Sequence, residues 1–149
     1  MASSDPRHNA RVVALQKLFN ESFFDVSLVN SKSTSFDDSS LNSINEIPDE
    51  EVDYKLLESI YSGVSRNLTE IDSIISKLAP QWPIDHIAKT DLQILRIAIY
   101  EGFIAKLTPE KVAVDEAIEL AKEFSNEKSR MFINGALGNL IVNKSDFGF

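Results

Sequence analysis

The chain has 149 residues, a formal net charge of −8 and no cysteine. That length suits a single domain spanning residues 1–149 with a sizeable core, and the missing cysteines exclude disulfides, Cys-ligated zinc and thiol nucleophiles. No apolar run reaches the roughly 18 residues a membrane span needs, and the opening MASSDPRHNAR lacks the apolar stretch of a secretion signal, so no membrane and a cytoplasmic location are expected.

Asp5-Pro6 is a helix-start signal, with Asp as the cap and Pro at the first helical position, where its missing N–H is not needed. Ala10, Val13, Ala14 and Leu18 follow at helical spacing, which predicts a first helix from residue 6 to about 23. The pattern then dissolves into a Ser-, Asn- and Asp-rich stretch at about 25–49, read as a mobile acidic loop. Between Asp25 and Asp53 eight acids accompany one lysine, so that segment carries −7 and the remainder only −1. The acidity that would argue against a nucleic-acid partner therefore belongs to one segment.

Helical periodicity returns at Glu51. Val52, Leu56, Leu57, Ile60 and Tyr61 make one stripe, Gly63 marks a break or a close packing point, and Leu68, Ile71, Ile74, Ile75 and Leu78 continue to Ala79-Pro80, where proline ends the run. Trp82-Pro83 opens a short turn. Thr90 to Gln93 has the form of a capping box, and the helix behind it, with Leu92, Ile94, Leu95, Ile97, Ala98 and Ile99, is apolar almost all round, as a central buried helix would be. Thr108-Pro109 reads as the cap and first turn of the next helix, which would bury Val114, Ala117, Ile118, Ala121 and Phe124. The last runs from about Asn126 to Val142, with Phe132, Ile133, Ala136, Leu137, Leu140 and Ile141 inward. No stretch alternates with period two for long enough to be a strand. The fold class expected is all-α, with six or seven helices.

Little in this pattern supports catalysis. His8 and His86 stand far apart without ligand spacing and read as solvated and as a turn residue, so no metal is expected. The glycines are too scattered for a phosphate loop, and Glu116 and Glu119 with Lys122 read as a salt-bridged surface. Binding has more to build on. Arg7 and Arg11 are four residues apart beside His8 at a helix N-terminus, a small phosphate-attracting surface. Lys128 and Arg130 begin the last helix, and Phe132 offers a stacking face to a single-stranded base. The same residues also fit two solvated arginines and a core phenylalanine.

The ordered blocks RHNARVVALQKLF, LLESIYSGVSRNLTEIDSII, Trp82 with IAKTDLQILRIAIYE, PEKVAVDEAIELAKEF and FINGAL resemble the NusB family of bacterial transcription antitermination factors across nearly the whole chain. The resemblance implies an all-helical fold of two packed small bundles, no catalysis and no cofactor. It implies binding of a boxA-type single-stranded RNA together with NusE, a ribosomal protein, in a complex that helps RNA polymerase resist termination, notably on ribosomal RNA operons. Arg7 and Arg11 would then contact RNA from the first helix, with His8 beside them, and Lys128, Arg130 and Phe132 from the C-terminal segment. Phe19, Tyr100 and Glu101 would meet NusE. The first-helix cluster is thinner than is common, with His8 and Asn9 where the family often has arginine. An alternative is a non-catalytic interaction scaffold of the same fold with weak or no RNA binding. A homodimer is one of the assembly states the sequence allows.

Overall fold

The computed structural model of the chain describes residues 5–23 and 47–149, so all but the end of the acidic segment expected at 25–49 lies outside them. Among the described residues there are six α-helices, three short 3-10 turns, one π-helical turn and no strand. They belong to two compact units, Met1–Tyr61 and Ser62–Phe149, and the division passes through the second helix.

In the first unit, α1 (Pro6–Glu21) starts as its sequence dictates. The Asp5 carboxylate accepts the Arg7 N–H at 3.0 Å, and Pro6 occupies the first turn. Ala10, Val13, Ala14 and Leu18 are buried, as their spacing requires, together with Val12 and Leu15. Two bonds hold the chain that enters α2 (Tyr54–Arg66) against the start of α1. Asn9 Nδ2 donates to the Glu51 carbonyl at 2.9 Å, and the Asp53 N–H donates to the Pro6 carbonyl at 3.1 Å. Asp53 then caps α2 by accepting the Leu56 N–H at 3.0 Å. Near the other end of α1 the Tyr61 hydroxyl donates to Glu21, and the Lys17 ammonium lies 4.5 Å above the Tyr61 ring.

The second unit holds the end of α2, then α3 (Leu68–Leu78), α4 (Lys89–Ile99), a π-helical turn over Tyr100–Ile104, α5 (Glu110–Phe124) and α6 (Glu127–Val142). The break between α2 and α3 falls at Asn67, whose side-chain amide donates to the Gly63 carbonyl at 2.7 Å. Gly63 is instead the packing point: a Cβ there would lie 1.9 Å from Cζ of Tyr100, so that ring fills the space a side chain would need. Helix α4 is the buried centre of the unit, packed on α3, α5 and α6. Arg96, its one half-buried cation in that stretch, makes a bidentate pair with Asp72 of α3, at 2.9 Å from Nε and 2.8 Å from Nη2.

Two caps expected from sequence are not formed. The Ala88 carbonyl accepts the first helical N–H of α4, from Leu92 at 2.9 Å, so Thr90 lies inside the helix and Gln93 is buried rather than folded back on a cap. The Pro109 carbonyl likewise accepts from Ala113 at 3.0 Å, which leaves Thr108 one residue outside α5. Helix α6 starts within one residue of the expected position, and the Asn126 side chain caps it by accepting the Ser129 N–H at 2.8 Å. The buried face of α5 also differs slightly: Ala113 and Leu120 are buried, whereas Phe124 is partly exposed.

Candidate nucleic-acid interface

Two stretches far apart in sequence, Trp82 to Asp91 and Asn126 to Phe132, meet where α4 and α6 begin. The first is shaped by its prolines. The Trp82 N–H bonds back to the Ala79 carbonyl at 2.9 Å, the His86 N–H to the Pro83 carbonyl at 2.8 Å, and a 3-10 turn over Ile84–His86 leads into α4. The indole of Trp82 and the imidazole of His86 are left exposed on this turn. The second stretch is fixed by the Asn126 cap.

Asp91 joins the two. It stands in the first turn of α4, is only 6% exposed, and accepts the hydroxyl hydrogens of Ser125 at 2.8 Å and Ser129 at 2.7 Å. A carboxylate at a helix N-terminus is favoured by the backbone N–H groups there, and the two charge-assisted bonds fix the start of α6 on the start of α4. Above this junction opens a pocket of about 350 Å³ lined by Trp82, His86, Asp91, Lys128, Ser129 and Phe132, among others. Its volume is that of a small-ligand site. Its walls offer two aromatic rings for a planar base and an exposed ammonium for a phosphate.

The structure therefore brings Lys128 and Phe132 together, and adds Trp82, His86 and Asp91, which the sequence offered only as turn and helix residues. The one cue to Trp82 is an exposed-prone turn, between two prolines, that spends a tryptophan. Arg130 is half-buried, lies 3.6 Å from Glu127 one turn earlier, and does not line the pocket. Phe132 is half-buried and lines the pocket.

The sequence-derived surface on α1 needs correction. Arg7 is exposed, but Arg11 is 2% and His8 7% exposed. The four-residue spacing does put Arg7 and Arg11 on one side, yet that side turns inward within one turn of the helix, so a basic pair open to solvent is not present. His8 is not a solvated residue either. Of the residues expected to meet a protein partner, Phe19 is half-buried and edge-on to Phe23 at 4.9 Å, and Tyr100 is half-buried over Gly63. Glu101 is 1% exposed inside the π-helical turn, where its carbonyl accepts the Leu107 N–H at 2.8 Å. Its side chain is not presented at the surface. Among the described residues no group of His, Asp and Glu is placed to hold a metal, and no helix is long and apolar enough to cross a membrane.

Comparison with known proteins agrees with this architecture. A family model described as the NusB family matches residues 8–142. The transcription antitermination protein NusB of Clostridium acetobutylicum is 39% identical over 135 residues, which cover 91% of this chain and 94% of that protein. The protein of the same name from Listeria monocytogenes is 40% identical over 134 residues, with 90% and 94% covered. Among solved structures, NusB of T. maritima superposes with a TM-score of 0.70 at 31% identity over 100% of both chains. A chain from a complex of the antitermination factors NusB and NusE with double-stranded RNA gives 0.69 at 21% identity, over 90% of this chain and 94% of that one, and so supports the fold.

Proposed function

Because the chain belongs to the NusB family, we propose that it is a transcription antitermination factor that binds a boxA-type single-stranded RNA together with the ribosomal protein NusE. It would act within the RNA polymerase antitermination complex, in the cytoplasm and without catalysis, supporting transcription of ribosomal RNA operons. The observation that carries the reading is the pocket lined by the two aromatic residues Trp82 and Phe132 together with Lys128. A splayed base stacks on the rings, and the adjoining phosphate pairs with Lys128, with Arg130 adding positive potential along α6. Arg7 supplies a further phosphate contact from the first unit. His8 and Arg11, being buried, serve by holding α1 in place. NusE meets the side chains of Phe19 and Tyr100, and Glu101 contributes by fixing the turn that carries Tyr100.

The test is titration of a boxA-like RNA oligonucleotide, with and without NusE, at two salt concentrations. Lys128→Ala is expected to reduce the slope of log affinity against log salt by about one. Phe132→Ala and Trp82→Ala are each expected to cost about 1–3 kcal/mol with little change in slope. Absence of binding in both titrations would leave the interaction scaffold, and unchanged affinity in all three variants would put the RNA on another surface.

A further inference from the structure

A second pocket, of about 410 Å³, lies at the other end of α4, between the π-helical turn and the start of α5. Gly102, Lys106, Leu107, Thr108, Pro109 and Glu110 line it. Gly102 lets the turn and α5 touch, since a Cβ there would lie 2.6 Å from Cβ of Ala113. Three features of the pocket point to a ligand. Thr108 is only 7% exposed, yet its Oγ1 is buried with no hydrogen-bond partner among the described residues. Oε2 of Glu110 is in the same condition, while its Oε1 accepts from Lys144 Nζ at 2.9 Å. Finally, the N-terminus of α5 has no side-chain cap. Its first intrahelical bond is donated by Ala113, so the N–H groups of Glu110, Lys111 and Val112 precede the ladder.

These features ask for different halves of one ligand. The uncapped helix start and Lys106 attract an anion. Lys106 is held at the rim in the left-handed backbone region, with φ of 53°, which side chains other than glycine rarely adopt. With Lys144 counted, two cations accompany the single carboxylate, so the pocket has a net positive balance. Oε2 of Glu110 can only accept, however, and would repel a bare anion; it needs a hydroxyl or amine donor, as Thr108 Oγ1 also can use. A phosphate ester that carries free hydroxyls satisfies both demands. We propose that this pocket binds a ribose-phosphate group, with the phosphate at the start of α5 beside Lys106 and a sugar hydroxyl donating to Glu110 Oε2 and bonded to Thr108 Oγ1. The group is either a free sugar phosphate or one unit of an RNA backbone. The site is separate from the Trp82–Phe132 pocket and does not rest on the RNA reading made there.

The test uses the full chain and follows the backbone amide resonances of residues 106–112 during titration with ribose 5-phosphate. Saturable shifts confined to this segment are expected. Glu110→Gln and Thr108→Val, which keep the shape of each side chain, should each weaken binding roughly tenfold, with circular dichroism confirming that both remain helical. Inorganic phosphate, which lacks the sugar hydroxyls, should bind more weakly than ribose 5-phosphate and lose little in either variant. Absence of saturation, equal binding of the two probes, or indifference to both substitutions would overturn the proposal. A single-stranded RNA oligonucleotide then separates the sources, and either result supports the pocket. Shifts of these same amides make the group part of RNA, and shifts confined to the amides around Lys128 and Phe132 make it a free sugar phosphate.

Discussion

Removing the Asp91 carboxylate tests whether one buried side chain holds the proposed RNA site together. In Asp91→Ala, Ser125 and Ser129 lose a charged acceptor at 2.8 and 2.7 Å, and Ser129 is buried. Hydrogen bonds to a charged group contribute about 1.5–3 kcal/mol each. Part of that is offset because the carboxylate no longer has to be taken out of water, so a net loss of about 2–4 kcal/mol follows. The lost interaction with the start of α4 adds about 0.5 kcal/mol. In a chain of this length the change lowers the melting temperature by on the order of 10 °C. Asp91→Asn keeps an acceptor, and a serine hydroxyl can rotate to accept from the new amide, so its loss should be about half as large. Denaturant midpoints of the three proteins measure the stability terms. RNA titration under conditions where all are folded measures whether the start of α6 still presents Lys128 and Phe132. Equal stability of the wild type and Asp91→Ala, or RNA affinity unchanged while stability falls, would refute the linkage between this junction and the site.

The two arginines of α1 should separate cleanly. Arg7→Ala is expected to leave thermal stability unchanged and reduce the salt dependence of RNA binding by about one unit. Arg11→Ala should instead lower stability by about 3 kcal/mol, because it strips the partners of a buried cation. Thermal melts and salt titrations of both variants check this, and matching profiles would contradict the burial of Arg11. In the second unit, Asp72→Ala leaves Arg96 without its bidentate partner between α3 and α4, for an expected loss of about 2–3 kcal/mol after allowance for partial exposure. Restoration of the lost stability by adding Arg96→Met would confirm that an unpaired cation is the cause.

The fold was far more legible than the site. Apolar spacing located α1 and the buried α4, and local chemistry located the Asp5 cap, because those signals depend only on neighbours along one helix. The Thr90 and Thr108 caps failed for the converse reason. The chain enters each helix one or two residues away from the threonine, and Ala88 and Pro109 took the cap positions with backbone carbonyls alone. The spacing of Arg7 and Arg11 makes them neighbours along α1, but periodicity does not say which of two charged residues is open to solvent, and here only Arg7 is. The pocket of Trp82 and Phe132 depends on Asp91 meeting two serines more than thirty residues later, a pairing that no local pattern announces.

The π-helical turn after α4 also bears on how the chain tolerates changes in length. There the Ala105 N–H reaches back five residues to the Tyr100 carbonyl at 2.8 Å, where an α-helix would reach back four. One residue is thus absorbed as a bulge between Ile99 and Lys106, with Glu101, Gly102 and Phe103 all buried in succession. A relative one residue shorter at this point can close the bulge into a regular turn and keep both flanking helices in register. The same deletion inside Lys89–Ile99 would rotate every later side chain by about 100° and turn the apolar face of the central helix away from its neighbours. Length variation in this part of the family is therefore expected to collect at the bulge, leaving the two ends of α4 at a constant separation.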